Sequence, residues 1–587
     1  MSRKPFSGAS RKLLLVFDVG TTFSGVSYSV LDPGQVPEIR TVTRFPCQDQ
    51  VGGDSKIPTI LYYDKADNVA CAGAEAVQEG IERTAEENNW TKAEWFKMHL
   101  RPKRHRPASG GPYIPSLPPN KTVVQVFGDF MRYLLHCTKA YIQETHANGA
   151  ILWNSVSKNI DYVLTHPNGW EGPQQTLMRK AAVEAGLVPH MGEAHKRIQF
   201  VTEGEASLHF CINSGLTTEA MLSGEGVLIV DAGGGTVDIS AYCGQQKKFE
   251  EIAAPQCHFQ GSIFVTSRAR AYLQNRLAGS RFADDLDFIV DRFDKRTKLG
   301  FRNEQDPQFI QFTSAREREA SLGIRSGQMK LSGAVVAEFF KPSISCIIQA
   351  VEEQRVASTR SITTVFLVGG FAASDWLFVQ LRRALEANGI KIYRPDSHVG
   401  KAVSDGGASF YLDRLVGARV SKFFYGIKIQ DWLCVDIPQH RARSRLAISH
   451  PVKGTPVLEN RFSIILPKSE KVLTEKEFRK SYQSLYMGQK PNTIKIDILC
   501  YRGRSSDPWW TDEEPAQYSV SGTVEANVSS IPPIQTFNAR GQAIRCLFFD
   551  VILLFGLTEL KAQISWTANQ VEKRGPANVV HDTSGEE

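Results

Sequence analysis

The stretch that most constrains this chain is residues 227–242, VLIVDAGGGTVDISAY. Four apolar residues predict a buried strand that ends at Asp231. Three glycines, the last of them Gly235, predict a tight turn whose backbone N–H groups converge on one point. Apolar and polar residues then alternate from Val237 onward, which is the strand period. The predicted unit is therefore strand, glycine turn, strand.

This predicted hairpin differs from a P-loop, which needs a helix and a lysine after the glycines. A glycine turn with an acid on each side, here Asp231 and Asp238, suits an anion held by backbone amides and a metal held by carboxylates. An ordinary hairpin with a loose turn is the alternative interpretation.

A second copy of the pattern lies at residues 13–30, LLLVFDVGTTFSGVSYSV. An apolar strand ends in Asp18, a turn begins at Gly20, and alternating residues lead back. Two such hairpins in one chain indicate an internal duplication. If they face each other, they would hold a polyphosphate from both sides, with Asp18 and Asp231 near one cation.

Two further stretches predict parts of the same site. Residues 200–208, FVTEGEASL, lead into a helix whose capping box is Thr202 with Glu205. Glu203 is then free to face a cleft and orient water, although a carboxylate favoured by the helix dipole is an equal alternative. Residues 365–374, VFLVGGFAAS, predict a buried strand and a paired glycine before a helix from Asp375, where a flat ring would lie on the backbone.

Composition limits the class of protein. With 42% hydrophobic and 22% charged residues and a net charge of +7, the chain is typical of a soluble globular protein. Its ten cysteines form no CxxC pair, which predicts neither a zinc site nor a disulfide scaffold. The basic cluster at 101–106 lacks interleaved aromatic residues, so we expect a solvated loop and no nucleic-acid partner. The longest apolar run, 546–557, is too short for a membrane span. We expect a cytoplasmic protein.

Apolar residues at helical spacing predict a helix over 122–145. We expect further helical stretches over 72–87, 90–100, 174–185 and 268–298. Short alternating segments after residue 421 predict a small β domain.

The motifs FDVGTT at 17–22, VDAGGGTVD at 230–238 and LVGGF at 367–371 resemble the phosphate-1, phosphate-2 and adenosine motifs of the actin/hexokinase/Hsp70 ATPase superfamily. Their order, with TEGEA at 202–206, resembles the Hsp70 branch. Residues 401–427 and 554–566 are similar to divergent Hsp70-like proteins of the heat shock 70 kDa protein 12 group.

The resemblance implies an α/β, two-lobed actin-like ATPase fold of duplicated ribonuclease-H-like units, with ATP or ADP and Mg²⁺ as cofactors. It implies a flexible tail at 1–12, a nucleotide-binding domain at 13–420 and a β-rich domain at 421–587. The last is a candidate for a reduced substrate-binding domain without a helical lid, and polypeptide clients or co-chaperones are the implied partners.

Site residues follow from the same resemblance. Asp18 and Asp231 would hold the waters around Mg²⁺, while Glu203 and Asp238 place the attacking water. The remaining residues would contact the phosphates, the nucleoside or the adenine: Gly20, Thr21, Thr22, Phe23, Gly233, Gly234, Gly235, Thr236, Gly369, Gly370, Phe371, Asp294 and Lys298.

Three departures from the family pattern bear on function. The position of the catalytic lysine falls at Val77, and Lys97 is the downstream basic residue that could substitute for it. The adenine-stacking arginine falls at Ala373, and residues 418–427 lack an acidic-flanked leucine linker. We therefore expect a slow Mg²⁺-dependent ATPase with a chaperone-like or client-binding role. The alternatives are a nucleotide-dependent binding module with little turnover and a small-molecule kinase, for which Glu203 is the best candidate base.

Overall fold

The computed structural model describes residues 3–50, 55–102, 113–215, 224–245, 248–395, 401–473, 476–556, 559–568 and 570–575. Most of the basic cluster at 101–106 lies outside these residues. The chain divides into two compact units, the first comprising residues 1–170 and 177–416 and the second comprising residues 171–176 and 417–587. Both helices and sheets are present, so the predicted α/β class is confirmed.

The strands of the first unit are short and mostly buried. They are β1 (Lys12–Val19), β2 (Phe23–Leu31), β3 (Arg40–Thr41), β4 (Ile57–Pro58), β5 (Ile60–Tyr63), β6 (Val69–Ala72), β7 (Thr91–Glu94), β8 (Ile160–His166), β9 (Ile198–Thr202), β10 (Gly226–Ala232), β11 (Val237–Gln245), β12 (Lys248–Glu251), β13 (Gln256–His258), β14 (Gln308–Gln311), β15 (Ile324–Arg325), β16 (Gln328–Leu331), β17 (Ile362–Val368) and β18 (Lys391–Tyr393).

Two sheets of this unit have the same arrangement. One has the order β3-β2-β1-β8-β9, and the other contains β12-β11-β10-β17-β18. In each, a hairpin of antiparallel strands (β1 with β2, β10 with β11) is followed by two parallel neighbours. The repeated order and directions match the internal duplication that the two sequence motifs predict. Strand β4 also pairs with β2 and β13 with β11, and two small sheets, β6-β5-β7 and β14-β16-β15, contain the other described strands of this unit.

Helices connect and flank these sheets. They are α1 (Ile81–Asn88), α2 (Val123–Thr145), α3 (Gly149–Val156), α4 (Gly172–Glu184), α5 (Met191–Arg197), α6 (Glu203–Asn213), α7 (Ser262–Leu277), α8 (Leu286–Arg292), α9 (Lys298–Gly300), α10 (Gly333–Ala357), α11 (Asp375–Glu386) and α12 (Ala402–Asp413). A π-helical turn, Phe293–Thr297, joins α8 to α9.

Sequence periodicity predicted some of these helices better than others. The predicted helix over 122–145 is confirmed, and its cap Thr122 accepts a hydrogen bond from the Gln125 N–H. The predicted helix over 72–87 is wrong in its first half, where β6 ends at Ala72 and a short 3₁₀ helix, Gly73–Val77, follows. Pairing of β6 and β7 with β5 holds this region in sheet structure on both sides of α1.

Helix α10 is long and apolar enough, by length and composition alone, to cross a membrane. Its residues Val336, Phe340, Ile347 and Val351 are almost completely buried in the core around β10, β11 and β17. A core helix of a globular protein has the same composition, so this helix is weak evidence for a membrane span.

The second unit is a β-sandwich. Its strands are β19 (Val416–Val420), β20 (Phe424–Trp432), β21 (Ile448–Ser449), β22 (Pro456–Leu466), β23 (Lys471–Leu473), β24 (Glu477–Tyr486), β25 (Thr493–Tyr501), β26 (Tyr518–Asn527), β27 (Ile534–Phe537), β28 (Ala543–Gly556), β29 (Glu559–Ala568) and β30 (Val571–Arg574).

One sheet of the sandwich has the order β21-β22-β20-β25-β26 and the other β24-β28-β29-β30, with β27 beside β28. Ile498 and Val524 of the first sheet pack in one core with Leu547, Val551 and Ile564 of the second. Over the described part of 417–587 the α-helical content is one short helix, α13 (Pro438–Ala442).

Candidate functional site

The first hairpin carries Asp18 at the end of β1, where only 2% of the residue is exposed. Its carboxylate accepts hydrogen bonds from Thr165 Oγ1 at 2.9 Å and from Lys56 Nζ at 2.7 Å. Burial raises the pKa of Asp18, but the charges of Lys56 and Lys97 and these hydrogen bonds outweigh it and hold the pKa below its usual value. Asp18 is therefore an ionised carboxylate in a buried position.

The turn of this hairpin is tight. A Cβ on Gly20 would overlap the carbonyl oxygen of Phe23, so only glycine fits there. The Gly20 N–H donates to Ser24 Oγ at 3.2 Å. The side chain of Phe23 is 48% exposed, so its predicted phosphate contact would come from the backbone.

The second turn presents its N–H groups to one side. The carbonyl oxygens of Gly233 and Gly234 accept hydrogen bonds from the N–H groups of Ser262 and Ile263 at the start of α7, at 3.1 and 3.0 Å. In a trans peptide the N–H points opposite to the carbonyl. The N–H groups of Gly234 and Gly235 therefore point away from α7, which is the arrangement of an anion-binding nest.

The two turns touch each other within the first unit. A Cβ on Gly234 would lie 2.5 Å from Thr22 Oγ1, and a Cβ on Gly235 would lie 2.6 Å from Met98 Sδ and overlap Thr21 Oγ1. The structure thus brings the two predicted phosphate motifs, more than 200 residues apart in sequence, to the same place.

The adenosine motif meets the second hairpin at Asp231. Gly369 has a φ of 90°, and a Cβ there would overlap Asp231 Oδ1 and the carbonyl of Ala232. Gly370 faces open space. The side chain of Phe371 is buried against Phe340, so that residue packs in the core and only its backbone is available to a ligand.

Three further carboxylates lie in this region. Asp231 is 3% exposed and accepts a hydrogen bond from Ser207 Oγ at 2.7 Å, while Asp238 is fully buried and accepts one from the Asn168 N–H at 2.6 Å. Glu203, the first residue of α6, accepts one from Lys97 Nζ at 2.7 Å. Burial and then the charge of Glu203 raise the pKa of Asp231 to about 7 and also raise that of Asp238.

Lys97 reaches this cluster although Val77 occupies the motif position. Val77 ends the short 3₁₀ helix and is partly exposed, whereas Lys97 lies in the next one, Phe96–Leu100, and is 3% exposed. Its ammonium group also lies 5.5 Å from the ring centre of Trp170. Lysine at this burial requires a carboxylate partner, and Glu203 is that partner.

The predicted adenine-facing pair is engaged locally. Asp294 accepts hydrogen bonds from Lys298 and from Thr266 Oγ1 of α7, and Lys298 Nζ also lies 3.1 Å from that hydroxyl. The π-helical turn between Asp294 and Lys298 is a feature found often at functional sites. Adenine binding by this pair stays a prediction.

Sequence reasoning missed several site residues: Lys56, Thr165, Asn168 and Ser207. Ser207 follows Glu203 by four residues and so shares its face of α6, a signal that was available. The other three reach the site through pairing of distant strands, which no local pattern reports.

A human protein resembles this chain along most of its length. Heat shock 70 kDa protein 12B of Homo sapiens is 22% identical to it, over 84% of this chain and 81% of the relative. No protein-family model matches the chain. This similarity confirms the resemblance to divergent Hsp70-like proteins of the heat shock 70 kDa protein 12 group that was noted in the sequence.

Proposed function

We propose that the first unit is a two-lobed actin-like domain that binds Mg-ATP or Mg-ADP and hydrolyses ATP slowly. The observation that carries this proposal is the meeting of the three motifs at Asp231. One glycine turn touches the other, and Gly369 of the adenosine motif lies against the Asp231 carboxylate. A nucleotide needs this combination of phosphate-binding amides, a carboxylate for a metal, and open backbone for the base.

The donor set fits a hydrated magnesium ion. The cluster contains four carboxylates (Asp18, Glu203, Asp231, Asp238) and two lysines (Lys56, Lys97). Burial raises the pKa of Asp231 and of Asp238, and a cation bound beside them would favour their ionised forms. Among the described residues no three His, Cys, Asp or Glu side chains are close enough to form a complete metal cage. Mg²⁺ uses one or two carboxylates with waters and substrate phosphates, so a complete cage is not required. Bound there, the ion would neutralise charge on the phosphates.

The chain's own residues account for the remaining chemistry. The N–H groups of Gly234 and Gly235 would bind phosphate oxygens, and Lys97 would offset charge that develops on the transferred group. Asp238, whose pKa is raised by burial, would accept a hydrogen bond from the attacking water once a bound cation favours its ionised form. Turnover would be slow because Lys97 is held on Glu203 and must leave it to act on a phosphate.

The ion pair of Lys97 with Glu203 also bears on the two alternative functions, a small-molecule kinase and a binding module with little turnover. A small-molecule kinase needs a free base toward its hydroxyl substrate, and Lys97 neutralises Glu203, the best candidate in the sequence. A binding module with little turnover remains compatible with the same contacts.

One experiment tests the proposal against both alternatives. Purified protein is titrated with ATP in MgCl₂ by calorimetry, and phosphate release is followed with and without peptides or sugars. We expect binding, slow release and no sugar phosphate. Thermal stabilisation should be about 2.7 kcal/mol at a hundredfold excess over Kd. Absence of stabilisation at saturating nucleotide would contradict the proposal.

We further propose that the second unit binds extended polypeptide segments. Strands β20 and β25 pair at Phe424–Gly426 with Leu499–Tyr501. Beyond that point their residues line opposite sides of a groove of about 870 Å³, whose floor includes Tyr482 and Phe549. Strand edges on either side of a groove with both apolar and polar lining suit an added strand, whose main chain would supply hydrogen bonds.

A further inference from the structure

The site contains a lysine that none of the three motifs accounts for. Lys56 donates from Nζ to Asp18 Oδ2 at 2.7 Å, and the side chains are 19% and 3% exposed. Asp18 is the carboxylate that the motif assigns to the magnesium waters. An ammonium group therefore already lies on the metal side of the phosphate site.

The backbone places Lys56 there. Strand β4 pairs antiparallel with β2, with Ser24 opposite Ile57, and continuing that register puts Gly25 opposite Lys56. In the hairpin, Gly25 is also the partner of Asp18. Lys56, Gly25 and Asp18 thus lie side by side across three neighbouring chain segments, which puts the two charged side chains on one face.

The glycine leaves the space that the lysine uses. A Cβ on Gly25 would lie 3.2 Å from Lys56 Cγ and 3.3 Å from the Ser55 carbonyl, closer than most real contacts. The lysine stem therefore crosses the strand over Gly25 and carries the ammonium group to Asp18.

The position of Lys56 suits a phosphate ligand. Its Nζ is bonded to Asp18, which lies two residues before the glycine of the first turn, Gly20. An ammonium group at this place has the charge and position to neutralise phosphate oxygens directly.

We propose that Lys56 is a built-in cation of the phosphate site, which holds Asp18 in the free protein and moves to the nucleotide phosphates on binding. This inference rests on the proposed nucleotide binding and adds to it a specific consequence. Nucleotide should bind measurably without a divalent metal, and Lys56 should account for that binding.

The test compares ADP affinity in excess EDTA and in excess MgCl₂ by calorimetry, using full-length protein. Lys56→Met removes the charge but keeps the length of the stem, and we expect ADP affinity to fall by about tenfold in EDTA and by less in MgCl₂. Lys56→Arg keeps a cation and should retain most of the binding in EDTA. Thermal unfolding of each variant establishes that it is folded.

A matched control is Lys121→Met, which removes another partly buried pair, Lys121 with Asp129 at 3.2 Å, whose side chains are 14% and 13% exposed. It should leave both affinities unchanged. If the wild type binds ADP only in MgCl₂, or if Lys56→Met loses equal affinity in both conditions, the proposed role of Lys56 is wrong. The proposed nucleotide binding would stand in either case. No binding by the wild type in either condition would overturn the proposed function, and this inference with it.

Discussion

Lys97 Nζ lies 2.7 Å from Glu203 Oε1, and both groups are buried. Lys97 lies in the 3₁₀ helix Phe96–Leu100, and Glu203 is the first residue of α6, 106 positions later in the sequence. Because each charge neutralises the other, neither is available to a phosphate or a water until the pair opens. The ion pair is therefore the contact that we expect to control turnover.

Removing Lys97 from the pair should lower both the rate of hydrolysis and the stability of the fold. Lys97→Ala should lower single-turnover ATP hydrolysis by at least about tenfold, because a cation directed at the transferred group is lost. It should also destabilise the fold by about 3 kcal/mol or more, since Glu203 stays buried without a partner. Quench-flow with radiolabelled ATP and denaturant unfolding measure the two effects.

Val77→Lys complements Lys97→Ala, because it places a lysine at the position where the family motif has one. A lysine at this partly exposed position should raise hydrolysis about tenfold if it reaches the phosphate, which corresponds to about 1.4 kcal/mol of barrier. Brisk turnover by the wild type that Lys97→Ala leaves unchanged would contradict this account of the site.

The second prediction concerns Gly369. With a φ of 90° and no room for a Cβ beside Asp231 Oδ1, Gly369→Ala combines backbone strain with displacement of a buried carboxylate. We expect a loss of ADP affinity in MgCl₂ of at least about tenfold, measured by calorimetry. Gly389→Ala is the control for backbone strain, because Gly389 has a φ of 75° and nothing lies within 4 Å of the added methyl group. Equal affinities for the two variants would show that Gly369 does not position Asp231.

The structural features that could be predicted from the sequence are those that depend on residues close together in the chain. The Asp–glycine hairpins formed as expected because strand, turn and return strand are all local. The sequence did not predict Lys56 as a site residue, because its position depends on the pairing of β4 with β2. It did not predict Asn168 either, because this residue contacts Asp238 from 70 positions away in the chain. The ring of Phe371 packs against Phe340 in the hydrophobic core, so its predicted contact with a ligand would come from the backbone.

The third prediction concerns how closely α6 and α12 pack. A Cβ on Gly406 of α12 would overlap the carbonyl oxygen of Ala206 in α6. Gly406→Ala should therefore force the helices apart and lower the free energy of unfolding by about 1–3 kcal/mol. Gly300→Ala in α9, where nothing lies within 4 Å, should be neutral or slightly stabilising. Urea unfolding of the two variants compares them, and equal stability would mean that the helix contact is looser than the structure shows.

The last prediction tests the groove of the second unit. Ile496 lies on the β25 side of the groove, and Ile534 on β27 lies outside it and is 57% exposed. The six residues 427–432 of β20 along one side span about 20 Å at the rise of a strand, so the probe is a labelled peptide of about seven residues that alternates leucine and serine.

Ile496→Asp should weaken the binding of this peptide by about tenfold in fluorescence anisotropy, because an apolar contact becomes a charge in the groove. Ile534→Asp should leave peptide binding unchanged, and both variants should bind ADP like the wild type, since the substitutions lie outside the first unit. If the wild type binds no peptide, or if both variants lose it equally, the groove is not a polypeptide site.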